Sequence, residues 1–176
     1  MNQCFFKPIQ KLLTLVGLKR APNPTLQAIF IAESAGNPMC STKTAEAIQN
    51  RGLKGDRYCD GSGYWHTVEA CQVTLITEND LRLVTRAVDE TTKAMLKNGS
   101  HRRNLVLGGV KTKVLQGKQF RIGSAEFIYD KPRPPCAYID KISGRGTCKA
   151  LGINSGVCIR VTKTGSIAVG DVVEIV

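Results

Sequence analysis

Apolar and polar positions in this chain alternate over many short stretches, and that pattern predicts a β-rich fold. Leu26–Glu33 (LQAIFIAE) is apolar enough for a first strand buried on both faces, with a loop at Ser34–Pro38 after it. Thr44–Gln49 reads as a weaker second strand, and Val68–Ile76 (VEACQVTLI) alternates most clearly. Further strands are expected at Arg103–Leu107, Gln119–Ile122, Ala125–Tyr129, Gly156–Thr162 and Val172–Val176, the last two joined through Thr164–Gly165–Ser166. One sizeable helix is expected from Thr77 to Asn98-Gly99. Thr77 is placed as its N-cap with Asp80 three positions on, and Leu81, Val84, Val88, Thr91 and Met95 share one face. Short helical segments are expected over Ala137–Ile142, with Pro135 in the first turn, and over Cys148–Leu151. The sum predicts a mainly β fold, a barrel or curled sheet with helical insertions (α+β).

Residues 1–24 stand apart from a domain at 25–176. Phe5, Ile9, Leu12, Leu13 and Val16 recur at helical spacing, opposite Lys7, Gln10, Lys11 and Thr14, and Ala21-Pro22-Asn23-Pro24 ends the run. The apolar stretch Leu12–Leu18 is too short for a signal peptide or a membrane span. Two roles fit: an amphipathic helix packed on the domain, or docking on an anionic membrane surface through Lys7, Lys11, Lys19 and Arg20.

Charge narrows the partners. The 176-residue chain is long enough for one core, and its net charge is +11 with a pI near 9.5. Nucleic acid, an anionic membrane or a phosphorylated small molecule would each suit that balance. The basic residues are scattered, with no zinc-finger spacing and no RNP-like aromatic string, which argues against nucleic acid. Seven cysteines with no C-x-x-C, and His66 and His101 standing alone, argue against structural zinc. Scattered cysteines in a chain with its own core predict free thiols in a reducing, cytoplasmic setting.

No phosphate-loop, dinucleotide, zincin or nucleophile-elbow motif occurs. Cys136 with His66 or His101 has no local signature of a cysteine protease. Three stretches carry the candidate chemistry. Gly52–Tyr58 (GLKGDRY) brings Lys54, Asp56 and Arg57 into a tight turn, and as a surface turn its Asp–Arg pair would be worth about 0–1 kcal/mol. Arg102–Leu107 (RRNLVL) puts Arg103 on the same face as buried Leu105 on a β period, which suits an anion site at a barrel mouth. In Asp130–Asp140 (DKPRPPCAYID), Cys136 follows a stiff Pro-Pro step beside Lys131 and Arg133. Nearby cations and a helix start would favour its thiolate.

In this order, and with GYWH at Gly63–His66, QVTLIT at Gln72–Thr77, GKQFRIGSAEF at Gly117–Phe127 and the closing GVCIRVTKTGSIAVGDVVEI, these stretches resemble the MOSC domain family. The likeness runs from about residue 26 to the end. It implies a β-barrel fold with a cleft for the molybdenum cofactor, a phosphorylated pterin with a dithiolene-bound metal. By that resemblance Cys136 is the sulfur-carrying or molybdenum-ligating thiol. Arg103 and Asn104 match the family's Arg-Asn motif, and Lys54 and Arg57 are candidates for the pterin phosphate. Arg133 adds a cation beside the thiol. Larger members carry a pyridoxal-phosphate sulfurase domain, which this sequence lacks, so pyridoxal phosphate is not expected here. The implied role is a sulfur or cofactor carrier served by a sulfur-donor protein. Equally implied is a reductase of small N-hydroxylated compounds, drawing electrons from a partner. Outside the family reading stand a binding module for another phosphorylated ligand and a membrane-surface accessory protein.

Overall fold

The structure, a computed structural model, describes residues 23–63 and 71–176. The expected N-terminal amphipathic helix, and the Tyr64–His66 and Val68–Ala70 parts of two expected elements, lie outside the described residues. Among the described residues eleven strands follow in chain order: β1 Thr25–Ile31, β2 Cys40–Thr42, β3 Thr44–Ile48, β4 Gly52–Leu53, β5 Val73–Thr77, β6 Leu105–Gly108, β7 Gln119–Ile122, β8 Ala125–Pro132, β9 Val157–Lys163, β10 Gly165–Ala168 and β11 Val173–Ile175. Among the described residues the α-helices are α1 Glu78–Thr85, α2 Glu90–Met95, α3 Thr112–Leu115, α4 Tyr138–Ser143 and α5 Thr147–Leu151, with a π-helical turn at Leu96–Ser100 and a 3-10 turn at Gly152–Asn154.

Eight strands form one sheet in the order β11-β7-β8-β9-β5-β6-β1-β2, and β10-β3-β4 form a second. Among the described residues only the β5–β6 pair is parallel, because α1 and α2 carry the chain across between them. The inner face buries Leu26, Ile29, Leu75, Leu105, Phe120, Phe127, Ile159 and Val161. A second cluster, around Phe30, Ile76, Val84, Leu96, Val106, Ile139 and Leu151, seats the helices on the other side. At roughly 1.5–3 kcal/mol for each large apolar side chain, these two clusters dominate the stabilisation. Gly156 shows how tightly the strands approach: its φ is +84°, and a Cβ there would stand 2.1 Å from the Leu75 carbonyl oxygen.

Three expectations are corrected. The sheet is not a closed barrel. One edge of β1 is shared between β2, at Ile29–Ile31, and a short contact in which Thr25 bridges Val172 and Pro24 and Leu26 bond to Gly170, Asp171 and Val173, so β1 and β11 form no ladder. The single long helix is two, because the Asp89 carboxylate caps a fresh start by accepting from the Thr92 N–H at 2.9 Å. The cysteines are not all free: Cys71, just before β5, is bonded to Cys158 in β9, with their Cα atoms 5.6 Å apart. Among the described residues Cys40, Cys59, Cys136 and Cys148 are free. Strand limits also move. In the described part of the expected Val68–Ile76 strand, Cys71 and Gln72 precede β5, β8 runs three residues past Tyr129, and β6 starts at Leu105, leaving Arg103 outside it.

The disulfide spans 87 positions of sequence, so it restricts the unfolded chain strongly. Reduction, or Cys71→Ala with Cys158→Ala, is expected to lower unfolding free energy by roughly 2–5 kcal/mol in denaturant titrations. An unchanged midpoint on adding dithiothreitol would contradict the bond.

Candidate functional site

The Gly52–Tyr58 turn is built around a buried carboxylate. Asp56 is fully buried. Its Oδ2 accepts from the Ala32 N–H (3.1 Å), Arg57 Nη1 (3.0 Å) and Asn104 Nδ2 (2.8 Å), and its Oδ1 from the Tyr58 N–H (3.1 Å). The turn is therefore not the surface pair it resembles in sequence. Asn104 is equally engaged: its Nδ2 also donates to the Phe30 carbonyl (3.0 Å), and its Oδ1 accepts from the Thr74 N–H (3.1 Å) and hydroxyl (2.7 Å). With its amide filled on both sides, Asn104 ties β1, the turn and β5 together and does not line the cleft.

A cleft of about 330 Å³ opens above this network, lined by Arg57, Arg102, Arg103 and Arg133 together with Tyr58, Tyr138 and Cys136. The Ala35–Gly36 loop forms the opposite lip, and the Tyr138 hydroxyl reaches within 4.0 Å of where a Gly36 Cβ would stand. The four arginines differ in what they have left to offer. Arg57 is buried against Asp56 and also donates to Met39 Sδ (3.3 Å) and the Arg102 carbonyl (3.4 Å). Arg103 is 4% exposed, and its guanidinium donates only to neutral groups: the Ser155 carbonyl (2.6 Å) and hydroxyl, the His101 carbonyl (3.1 Å) and the Arg133 carbonyl (3.4 Å). No carboxylate is among those partners. Burial, and then the neighbouring Arg133, push the Arg103 pKa down to about 10, so it stays charged at neutral pH.

Arg102 and Arg133 keep donors for a ligand. Arg102 donates one Nη1 bond to the Asn37 carbonyl, and burial followed by Arg57 lowers its pKa. Arg133 donates from Nη2 to the Tyr58 hydroxyl (3.3 Å) while its own N–H donates to the Gly156 carbonyl (2.9 Å). Tyr58 is held rigidly for that contact. The Arg57 guanidinium lies 4.5 Å from its ring centroid, and any Cβ on Gly63 would strike the ring at 2.8 Å. Cys136 is exposed at the cleft edge, and its carbonyl accepts the Ile139 N–H at 3.0 Å. Helix α4 begins at Tyr138, so Pro135 lies outside it and not in its first turn.

Of the sequence candidates, the structure brings Cys136, Arg57, Arg103 and Arg133 to one cleft and puts Asn104 beneath it. Lys54 is elsewhere: it pairs with Glu46 at 2.9 Å on an exposed turn, and that hydrogen bond raises its pKa. Arg102, Tyr58 and Tyr138 line the cleft without having been singled out. Arg102 has φ +63°, a left-handed geometry of which the sequence carries no sign.

The sequence model of the MOSC domain matches residues 62–174. The chain belongs to the MOSC domain family. Among curated proteins, none matches it. Its fold is similar to the YuaD protein from Bacillus subtilis, at TM-score 0.70 and 12% identity over 88% of this chain and 96% of that one. YiiM from Escherichia coli superposes at TM-score 0.63 and 16% identity, covering 86% and 69% of the two chains. YiiM from Geobacillus stearothermophilus gives 0.62 and 13%, covering 87% and 75%. At such identities the likeness concerns the fold of this MOSC domain. Among its described residues no helix is long and apolar enough to cross a membrane.

His101 supports the cleft from below. Its Nδ1 accepts the Arg103 N–H at 3.0 Å, Phe30 meets it edge-on at 5.4 Å, and burial followed by Arg103 pushes its pKa down to about 3. The unfolded chain protonates an ordinary imidazole near pH 6.5. Between pH 6.5 and about 3 the unfolded state therefore binds more protons, and stability falls as pH drops through that window. The expected slope from this group is about 1.4 kcal/mol per pH unit. Denaturant titrations between pH 6.5 and 4.5 should show wild type losing stability more steeply than His101→Gln. Equal slopes would mean that His101 is not buried in its neutral form.

Proposed function

We propose that this MOSC domain binds the molybdenum cofactor in the arginine-lined cleft, with Cys136 as the thiol that meets the metal or carries sulfur. The observation that supports this reading most is the Arg103 guanidinium, buried with no carboxylate partner, on the same cleft as an exposed thiol. A buried cation without a counter-charge is costly, and an anion in the cleft supplies what the protein omits. The cleft volume lies at the small end of ligand sites, of about 300–1,000 Å³. Among the described residues no group of three or more His, Cys, Asp or Glu could hold a bare metal ion. Cys136 thus offers one soft ligand to a metal that arrives with its own donors.

When bound, the cofactor supplies a redox-active metal centre and a phosphate anchor. Arg102 and Arg133 are the forks for that phosphate, since planar guanidinium groups match its oxygens better than ammonium does. Arg57 and Arg103 add positive potential from beneath, while Asp56 keeps Arg57 aligned. Tyr58 fixes the Arg133 fork, and Pro134–Pro135 hold the Cys136 backbone stiff beside it. Tyr138 and the Gly36 loop limit what reaches the thiol. As a carrier, the domain would present sulfur on Cys136 to an incoming protein. As a reductase, it would receive electrons from one.

The test is anaerobic purification from cofactor-producing cells, with molybdenum and pterin measured per chain. Wild type is expected to retain both. Cys136→Ser should lower molybdenum retention tenfold or more, and Arg102→Gln with Arg133→Gln should lower pterin by a similar factor. Equal metal in wild type and Cys136→Ser would remove the thiol from the site. Absence of pterin throughout would favour a different phosphorylated ligand.

A further inference from the structure

The cysteine cleft is rich in hydrogen-bond donors and has no carboxylate to take them. Arg57, Arg102, Arg103 and Arg133 line it, and among the described residues no Asp or Glu does. Arg102 and Arg133 each make one side-chain hydrogen bond to the protein. The Tyr58 hydroxyl accepts from Arg133 Nη2 at 3.3 Å, and its own proton has no acceptor among the described residues. Beneath them, the buried Arg103 charge meets only carbonyls and a hydroxyl.

Such a set of donors suits an anion whose oxygens all accept. A sulfonate group is one, since it carries no proton near neutral pH and its oxygens match planar guanidinium forks. The exposed Cys136 thiol on the same cleft selects among such anions. As a thiolate it attacks divalent sulfur that is bonded to a good leaving group. A thiolate and a dianion repel each other, so that reaction needs the positive field the arginines provide. An anion that joins a sulfonate to a transferable sulfur uses both parts of the cleft at once.

We propose that the cleft takes a thiosulfonate anion, of which thiosulfate is the simplest, and that Cys136 removes its outer sulfur. The sulfonate oxygens lie on Arg102, Arg133 and the Tyr58 hydroxyl. Cys136 Sγ, its proton given up to solvent, bonds to the outer sulfur. The bond from that sulfur to the sulfonate breaks, and sulfite leaves with the electron pair. Cys136 keeps the sulfur as a persulfide, and no external oxidant or reductant is consumed. The inference rests on the sulfur-carrying half of the cofactor reading and deepens it by naming a small-molecule source of the sulfur. It is read on cofactor-free protein, so its failure and that of cofactor binding are told apart.

The experiment incubates the full chain, made in cells that lack the cofactor, with thiosulfate. Persulfide at each cysteine is read by peptide mass spectrometry after alkylation, and released sulfite is measured alongside. Cys136 is expected to gain sulfur at least about tenfold faster than Cys40, an exposed thiol outside the cleft lining, with sulfite appearing in equal amount. Arg102→Gln with Arg133→Gln should slow Cys136 about tenfold or more. Because that variant could fold poorly, wild type is also assayed with added sulfate, which fills the donors but has no sulfur to give. Sulfate should slow Cys136 more than sodium chloride does at equal ionic strength. Equal rates at Cys136 and Cys40 would overturn the proposal, and so would sulfate acting no more strongly than chloride. Either result in a protein that still retains molybdenum and pterin would remove thiosulfate as the sulfur source and leave cofactor binding standing.

Discussion

The buried carboxylate of Asp56 is the contact on which the cleft depends. It gathers the end of β1, the following turn, Arg57 and Asn104 into one hydrogen-bonded unit. Charge at such depth persists only when every lone pair is engaged, and losing one partner of such a pair costs about 3–5 kcal/mol. The turn is consequently rigid, and Tyr58 and Arg57 leave it in fixed directions. Through Asn104 the same unit grips β5 and the segment that carries Arg102 and Arg103. Parts of the chain nearly fifty positions apart are thereby fixed around one small volume.

Electrostatics then divides the arginines by task. Arg57 is neutralised by Asp56, while Arg103 is not neutralised by anything it touches. Its hydrogen bonds to carbonyls and a hydroxyl meet its donors but leave its charge, and that charge is expressed into the cleft. Arg102 and Arg133 are less deeply engaged, each making one side-chain hydrogen bond among those described above. Cys136 stands at the edge of this field. The fold thus separates the source of potential, which is buried and fixed, from the groups proposed to contact a ligand.

Much of the sheet was legible because its strands alternate or run apolar between glycine turns, as in Leu26–Ile31 and Gln119–Ile122. Strands β2, β4 and β10 were not legible. β2 and β4, three and two residues long, exist through their pairing partners and carry too few positions to show a period, and β10 opens on the Gly165–Ser166 that reads as a turn. The helix break at Asp89 was present in the sequence as a second N-cap, but the apolar face running across it concealed it. No spacing rule joins Cys71 to Cys158. Only the β5–β9 pairing brings them together. At the site, Arg133 and Cys136 were readable because stiff prolines keep neighbours in sequence neighbours in space. Lys54 was drawn in by its place in the same turn as Arg57, yet it points to Glu46 on another surface. Arg102 was missed because nothing in the sequence marks its left-handed backbone.

The central claim is that the cofactor occupies the arginine cleft against Cys136. Cys136 and Cys40 are both exposed free thiols, and Cys40, in β2, is absent from the cleft lining, so it serves as an internal reference. The most direct measurement is the alkylation rate of each by iodoacetamide, followed by peptide mass spectrometry, in cofactor-loaded and cofactor-free protein. The account predicts that loading slows Cys136 at least about tenfold and leaves Cys40 unchanged. Equal rates at Cys136 in the two forms would contradict it.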